Sequence, residues 1–487
     1  MAKQKRVQDK DWLYAFLRPY TDLVLKLSYR KIRYIGRERI PNDGAVIYAP
    51  NHVGALMDAM VVLAMDRKPK VFVARADIFK NPTLAKIFHF LKIMPIMRMR
   101  DGIDEVKKNN ETIERAVDVL RDRVPFCIFP EGQHQAKYSA LPLSKGIFRI
   151  AMQAHELMPE TPLYIVPLGL RYGNFFRFRG SLRVQVGEPI NVGEFLAQHP
   201  DLTPQEQINA MREVLEERMH STIYYIPNDS DYEATVEICA ALHHRQRLHL
   251  KHDKEYGRLR GMNLSFEANN MTVKHLTYLK TANPELAQRL LDLGREASVE
   301  RKREEISLKS VAMRFPIIST VLKLIIFILT LPYTLVCSVA NLPLTLLSNF
   351  LNKRFKDLAF HNSVRYVINL VGWPLLMILY SIIAYIVAPW QWATTGKRLV
   401  DRVIDDLIDQ MVQTTDRGRA NIHTGAAAHC LKTLQYLYLA VVVNLSGFFV
   451  VCHVLSFLFY RFFDFHEIKI RQFSLFVLLP TNAGVES

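Results

Sequence analysis

Cysteine is scarce and scattered: Cys127, Cys239, Cys337, Cys430 and Cys452 are the only five, and no CxxC pair occurs among them. An odd number at wide spacing excludes a disulfide framework and a zinc site built on paired thiolates. It implies small apolar side chains in a reducing compartment. No GxSxG occurs either, so no serine nucleophile is signalled. The start, "MAKQKRVQDKDW", is charged and no cleavable apolar core follows it, so no signal peptide is expected. Acidic residues are outnumbered, 47 against 63 Lys and Arg, which leaves a formal net charge of +16 over 487 residues. That excess points to an anionic partner: nucleic acid, a phosphate-bearing substrate or a membrane surface. Because the basic residues are spread out and no nucleic-acid-binding motif appears, nucleic acid is the weakest of the three.

Charge is missing altogether from three stretches of the last third, 324–351, 367–390 and 433–460. Each exceeds the roughly 20 residues needed to span a hydrocarbon core. The expectation is an integral membrane protein with two or three apolar segments. Pro332, Asn341 and Pro343 interrupt the first stretch, so it crosses with a kink or dips in and returns. Basic residues flank it on both sides: Lys309, Arg314 and Lys323 before, Lys353, Arg354 and Lys356 after. A single crossing puts one cluster on the disfavoured side, and a re-entrant segment removes the conflict.

Upstream, strand-like and helix-like runs alternate over 32–225. Candidate strands lie at 45–49, 71–74, 93–96, 126–129, 164–167 and 182–186. Between them, "IDEVKKNNETIERAVDVLRDR" carries Ile113, Ala116, Val117 and Leu120 as one helical stripe. This order predicts an α/β domain, with a mixed, largely parallel sheet flanked by helices and function gathered where strands end. The expected organisation is an N-terminal amphipathic helix (1–31), the α/β domain (32–225), a charged helical region (226–314), a membrane region (315–465) and a C-terminal tail (466–487). The first helix reads as interrupted near Pro19, and it either packs on its own domain or lies on the membrane surface. In the helical region, His243, His244, His249 and His252 have no carboxylate or cysteine at ligand spacing. A solvated face, or a basic face for anionic lipid or an acidic carrier protein, explains them better than a metal.

Four segments at strand ends hold the candidate chemistry. "YAPNHVGALMDAM" presents Asn51 and His52, with Asp58 six residues on; "KIMPIMRMRDG" presents Arg98 and Arg100; "CIFPEGQHQ" presents Glu131 and Gly132, with Lys145 beyond; "YIVPLGLRYG" presents Pro167 and Arg171. Positions i and i+6 are about 240° apart on a helix, so cooperation between His52 and Asp58 needs a turn between them. Gly54 is the expected turn residue, with Asp58 on the first turn of the helix that follows. A neutral His takes a proton from an alcohol, and a nearby acid fixes its tautomer and stabilises the imidazolium. The chemistry that fits is direct transfer onto a hydroxyl activated by His52, with the cations holding an anionic group.

Asn-His with a nearby Asp, a strand ending in Arg, Phe-Pro-Glu-Gly and then Val-Pro together resemble the glycerolipid acyltransferase family, in its membrane-anchored type. That family comprises glycerol-3-phosphate, dihydroxyacetone-phosphate and 1-acylglycerol-3-phosphate O-acyltransferases. The likeness covers roughly residues 32–225, and Phe-Pro-Glu-Gly is its most specific part. "NLPLTLLSNFLNKRFKDLAFHNS" is similar to the segment between the first two apolar blocks of such enzymes. The resemblance implies transfer of a fatty acyl group in phospholipid synthesis. The donor would be acyl-CoA or acyl carrier protein, and the acceptor a hydroxyl of glycerol 3-phosphate or 1-acylglycerol 3-phosphate. By the same resemblance His52 is the general base and Asp58 its orienter. Arg98, or Arg100 if the register slips, binds phosphate, as a weaker candidate Lys145 does; Glu131 and Gly132 shape the acceptor site, and Pro167 is structural. No cofactor or metal is implied. The partners are the lipid membrane, an acyl thioester and a phosphorylated glycerol, on the cytoplasmic face of a bacterial inner membrane or endoplasmic reticulum.

Two departures from the family pattern stand out. Five residues separate His52 from Asp58 where four are commonest, a spacing similar to members that acylate glycerol 3-phosphate or dihydroxyacetone phosphate. Gln133 and His134 replace the usual Thr and Ser. The alternatives are an acyltransferase for another lyso-lipid, such as an aminolipid, or an inactive lipid-binding or scaffold protein. Against the last stands the intact set His52, Asp58, Arg98 and Glu131.

Overall fold

The computed structural model of the protein describes residues 6–96, 105–173, 175, 180–311 and 316–387. It divides into two compact units. One is built from the chain up to Ile325 together with Asn352–Tyr366, the other from Ile326–Leu351 and the helix from Val367 onward.

The first unit opens with helix α1 (Trp12–Ser28), strand β1 (Lys31–Ile35), β2 (Ala45–Pro50) and α2 (Leu56–Leu63). It continues with β3 (Val71–Arg75), α3 (Pro82–Phe90), β4 (Ile93–Ile96), α4 (Glu105–Arg121), β5 (Phe126–Cys127) and α5 (Gly146–Leu157). Then come β6 (Leu163–Tyr172), β7 (Ser181–Val186), β8 (Ile190–Asn191), α6 (Val192–Gln198) and α7 (Pro204–Thr222). The strands form one sheet in the order β1-β7-β6-β2-β5-β3-β4, with β8 pairing β6. All pairings are parallel except β6–β7 and β6–β8. The expected mixed, largely parallel sheet flanked by helices is therefore what the chain builds. Its core joins Ile47, Phe126, Leu163 and Ile165 of the strands to Leu120, Phe148, Met211 and Leu215 of the helices.

Two local outcomes differ from expectation. α1 runs straight through Pro19. The buried Arg18 fixes that turn, with its guanidinium donating to the carbonyls of Leu63 and Asp66. The first half of α1 leaves Trp12 and Phe16 exposed, while Val24 and Leu25 are buried. β6 is also much longer than the 164–167 run that its sequence shows, because it continues through Pro167. On one flank β8 pairs Tyr164 and Ile165 and β7 begins at Leu168, so Pro167 falls where the neighbour changes. A missing N–H is tolerated there, and the Pro167 carbonyl is still used, by the N–H of Gly187.

Three long helices follow, α8 (Tyr232–His252), α9 (Gly261–Ala282) and α10 (Pro284–Arg303), then the short α11 (Leu308–Val311). Asn283 caps α10 by accepting from Leu286 N–H, with Pro284 in the first turn where no N–H is needed. α8 is not a simple solvated face: Ala234, Cys239 and Leu250 are buried, and Ala234 packs with Leu276 and Leu291 of the neighbouring helices. His243 is engaged with the Asn269 amide oxygen at 2.9 Å.

The apolar stretch 324–351 lies on α12 (Pro316–Ala340) and α13 (Leu342–Asn352). The interruption falls at Asn341; Pro332 lies inside α12, and Pro343 in the first turn of α13. The next helix, α14, is Ala359–Val387. Its segment Ala359–Tyr380 is the stretch among the described residues that is long and apolar enough to cross a membrane. The block 433–460 lies outside the described residues.

Candidate functional site

β2 is wholly buried, and its register with β6 carries on past its last residue. Asn51 N–H donates to Leu168 O, and the Asn51 side chain both donates to Leu170 O (3.2 Å) and accepts from Leu170 N–H (2.6 Å). Asn51 thus extends the ladder by mimicking a backbone, and the chain leaves the sheet at a fixed point. His52 is the first residue free of it.

The turn that follows differs in detail from expectation. The residue with positive φ is Ala55 (φ 51°, ψ −124°), which precedes α2. A side chain is strained there, at an order of 1–3 kcal/mol. Gly54 is needed for a different reason, since a Cβ on it would lie 3.0 Å from the Tyr172 hydroxyl and 3.1 Å from Asp58 Oδ1. Asp58 sits in the first turn of α2, where the helix dipole favours a carboxylate.

Asp58 is fully buried, and its oxygens collect four donors. Oδ2 accepts from the N–H groups of Val53 and Gly54 and from His52 Nδ1, each at 2.7 Å. Oδ1 accepts from the Tyr172 hydroxyl at 2.5 Å. A carboxylate cannot donate, so Nδ1 carries the imidazole proton and Nε2 keeps its lone pair. The ring stacks on Phe129 (centroids 4.2 Å apart) and its side chain is 18% exposed. Held this way, His52 can accept a proton at Nε2, and the resulting cation lies against a buried anion.

β5 delivers the second component. After Cys127 the chain turns through Phe129–Gly132, with Gly132 N–H donating to Phe129 O and Gly132 at φ 64°. This turn carries Glu131 back under His52, whose backbone N–H donates to Glu131 Oε2 at 3.3 Å. Glu131 is 7% exposed, and its other carboxyl oxygen has no partner. Burial pushes this carboxyl up to about 8, the N–H groups of His52 and Leu141 pull it down, and the Asp58 charge adds to the rise. Ser144 N–H donates to Pro130 O and returns the chain to the same loop, with half-buried Lys145 at the start of α5. Cys127 is fully buried, and burial raises its thiol well out of the nucleophilic range.

A raised carboxyl has a consequence for stability. The folded chain retains a proton on Glu131 that the unfolded chain loses above pH about 4.5. Stability therefore falls as pH rises through the window from about 4.5 to about 8, by at most about 1.4 kcal/mol per pH unit, and is unaffected further above it. Glu131→Gln should flatten this slope in melting temperatures taken from pH 5 to 8.5. An unchanged slope would show that Glu131 is ionised at neutral pH.

The structure thus brings His52, Asp58 and Glu131 together, with Gly132 in the turn. Arg98 and Arg100 lie outside the described residues. Arg171 stands on the opposite face of the sheet from Tyr172, because neighbouring strand residues alternate. Three participants carried no clear signal in sequence: Tyr172, Asn51 as a ladder mimic, and His134. The His134 ring lies 5.4 Å from His52 and engages Asp357 at 2.6 Å. The Asp357 carboxyl is lowered although its own burial would raise it, because Ala359 N–H and His134 favour its charged form.

Residues 31–171 match the protein-family model described as Acyltransferase. The chain is 31% identical over 134 residues to glycerol-3-phosphate O-acyltransferase 2 of Saccharomyces cerevisiae, covering 27% of this chain and 18% of that protein. It is 27% identical over 212 residues to 1-acyl-sn-glycerol-3-phosphate acyltransferase of Cocos nucifera, covering 42% of this chain and 64% of that protein. The chain thus spans less than two thirds of each of these relatives. A crystal structure of the 1-acyl-sn-glycerophosphate acyltransferase of Thermotoga maritima aligns with 46% of this chain and 85% of that one, at 18% identity and a TM-score of 0.32. The stretch 31–171 is an acyltransferase-family domain.

Proposed function

We propose that this acyltransferase-family domain moves a fatty acyl group from a thioester, acyl-CoA or acyl carrier protein, to a hydroxyl of glycerol 3-phosphate. The observation that carries the reading is the His52–Asp58 pair, closed at 2.7 Å by a turn whose N–H groups fix the same carboxylate. His52 Nε2 takes the proton of the acceptor hydroxyl as its oxygen attacks the thioester carbonyl, and Asp58 stabilises the imidazolium. The C–S bond breaks, the thiolate leaves and takes the proton from the His52 imidazolium to become the free thiol, so no acyl-enzyme is required. Glu131 and Gly132 shape the acceptor side of this loop. Arg98 or Arg100, with Lys145 as an auxiliary, holds the acceptor phosphate.

Two features favour glycerol 3-phosphate over its 1-acyl derivative as acceptor. Five residues separate His52 from Asp58, and the yeast relative carries that activity in its name. The protein sits in a membrane by the apolar segments 324–351, 367–390 and 433–460, with the α/β domain on the cytoplasmic face, where the acylated product partitions directly into lipid.

The test is one assay on membranes holding the full chain. Labelled acyl-CoA and acyl carrier protein are each offered with glycerol 3-phosphate and with 1-acylglycerol 3-phosphate. Label should enter lysophosphatidate at least tenfold faster than phosphatidate. The reverse preference would reassign the acceptor, and transfer to neither would overturn the reading.

A further inference from the structure

We propose that Arg171 and Arg183 form a phosphomonoester-binding site on the face of the sheet opposite the His52–Asp58 pair. The two residues are direct cross-strand neighbours in the antiparallel register of β6 and β7. Like charges at directly opposed positions destabilise a sheet, and burying them raises the cost. Arg183 is nonetheless 5% exposed, and Arg171 is half-buried.

Ordinary partners do not account for them. Among the described residues no carboxylate pairs with either guanidinium, and Arg171 Nε and Arg183 Nη1 are buried without any acceptor. Among the described residues the pair's polar contact is a long one, Arg183 Nε donating to Asn263 Oδ1 at 3.4 Å. Glu267 acts on Arg183 only through space, its carboxylate receiving the Asn270 amide at 3.5 Å instead. Aromatic rings supply the walls: Arg183 lies 3.8 Å from the Phe266 centroid, and Arg171 lies 4.5 Å from that of Tyr224. Stacking of this kind holds a guanidinium flat and leaves its N–H edge free to donate.

The surroundings are positive. His243 and Arg247 of α8 lie on the same side, and burial together with Arg247, Arg171 and His244 disfavours the charged form of His243. Arg247 Nε and His244 Nε2 are likewise buried and unpartnered. Two rigid guanidinium groups facing one another match a dianion with several oxygens, which a phosphomonoester provides near neutral pH. Since Arg171 and Tyr172 point to opposite faces, a phosphate bound here does not belong to the hydroxyl that His52 would deprotonate. The site is therefore additional to the proposed acceptor site and independent of that reading.

Phosphate binding to the full chain in detergent decides the matter, measured by calorimetry with inorganic phosphate replacing chloride at constant ionic strength. His52→Ala serves as background, so the readout stands apart from acyl transfer. Arg171→Gln and Arg183→Gln should each weaken phosphate binding roughly tenfold or more, the value of a lost charge-assisted bond. Glu267→Gln should strengthen it, because a competing negative charge is removed without touching the pair. Should Arg183→Gln fail to fold, the other two variants still decide. Unchanged affinity in Arg171→Gln together with Glu267→Gln overturns the proposal, as does absence of phosphate binding to the parent chain. Coenzyme A, glycerol 3-phosphate and vesicles of phosphatidate in phosphatidylcholine, run against the same variants, then separate a soluble phosphate source from a lipid headgroup.

Discussion

His52→Ala is expected to lower acyl transfer by about 10³- to 10⁴-fold while leaving the fold in place. The size follows from what the ring alone supplies. Nε2 is the acceptor that the geometry leaves open, since Nδ1 is committed to Asp58 at 2.7 Å. Glu131 is no substitute base: its backbone-bonded carboxyl is held up near 8 by burial and is mostly protonated at neutral pH. Stability should change little. The ring is partly exposed, and after its loss Asp58 still has the N–H groups of Val53 and Gly54 and the Tyr172 hydroxyl. The variant should therefore fractionate with membranes as the parent chain does and unfold within about 1 kcal/mol of it, the worth of one stacked ring and one hydrogen bond. Activity within tenfold of the parent would remove His52 from the reaction.

How far such a site can be read from sequence depends on how far apart its parts lie in the chain. His52 and Asp58 are six residues apart, so their spacing alone says that a turn must join them. Tyr172 and Asn51 act across 114 and 119 residues respectively, through the β2–β6 register, and no local pattern reveals that register. His134 meets Asp357 over 223 residues, which no period or motif encodes. The sheet shows the same division. Apolar runs such as Ala45–Pro50 announce buried strands, but β1, "KIRYI", alternates charge with apolar residues at the sheet edge and carries no such run. The continuation of β6 past Pro167 is concealed by Pro167 and Gly169, two residues that normally argue against a strand interior. Proline is admitted where the flanking strand changes, and Gly169 because a Cβ there would collide with Thr222. Both exceptions are set by packing partners distant in sequence.

Asp58→Asn should damage both rate and stability, and the way it does so distinguishes an orienting acid from a merely structural one. An amide offers one accepting oxygen where the carboxylate offers two. The least disruptive placement keeps that oxygen toward Val53, Gly54 and His52 and turns the NH₂ toward Tyr172, whose hydroxyl must then accept instead of donate. Every backbone bond survives, so the stability loss should be about 1–3 kcal/mol, the value of weakened bonds to a charged group. The rate loss should be much larger, about 10³-fold or more, because the imidazolium formed in the reaction no longer faces an anion. Since the two residues act as a unit, Asp58→Asn added to His52→Ala should lower the residual rate little further. Tyr172→Phe separates the two effects: it removes a donor to Asp58 Oδ1 but leaves the charge, so it should cost stability while sparing most of the rate. Denaturant midpoints and initial rates on the parent chain and these four variants check all of this. A folded Asp58→Asn chain that transfers acyl groups within tenfold of the parent would mean that the charge is there to hold the turn and that His52 works without it.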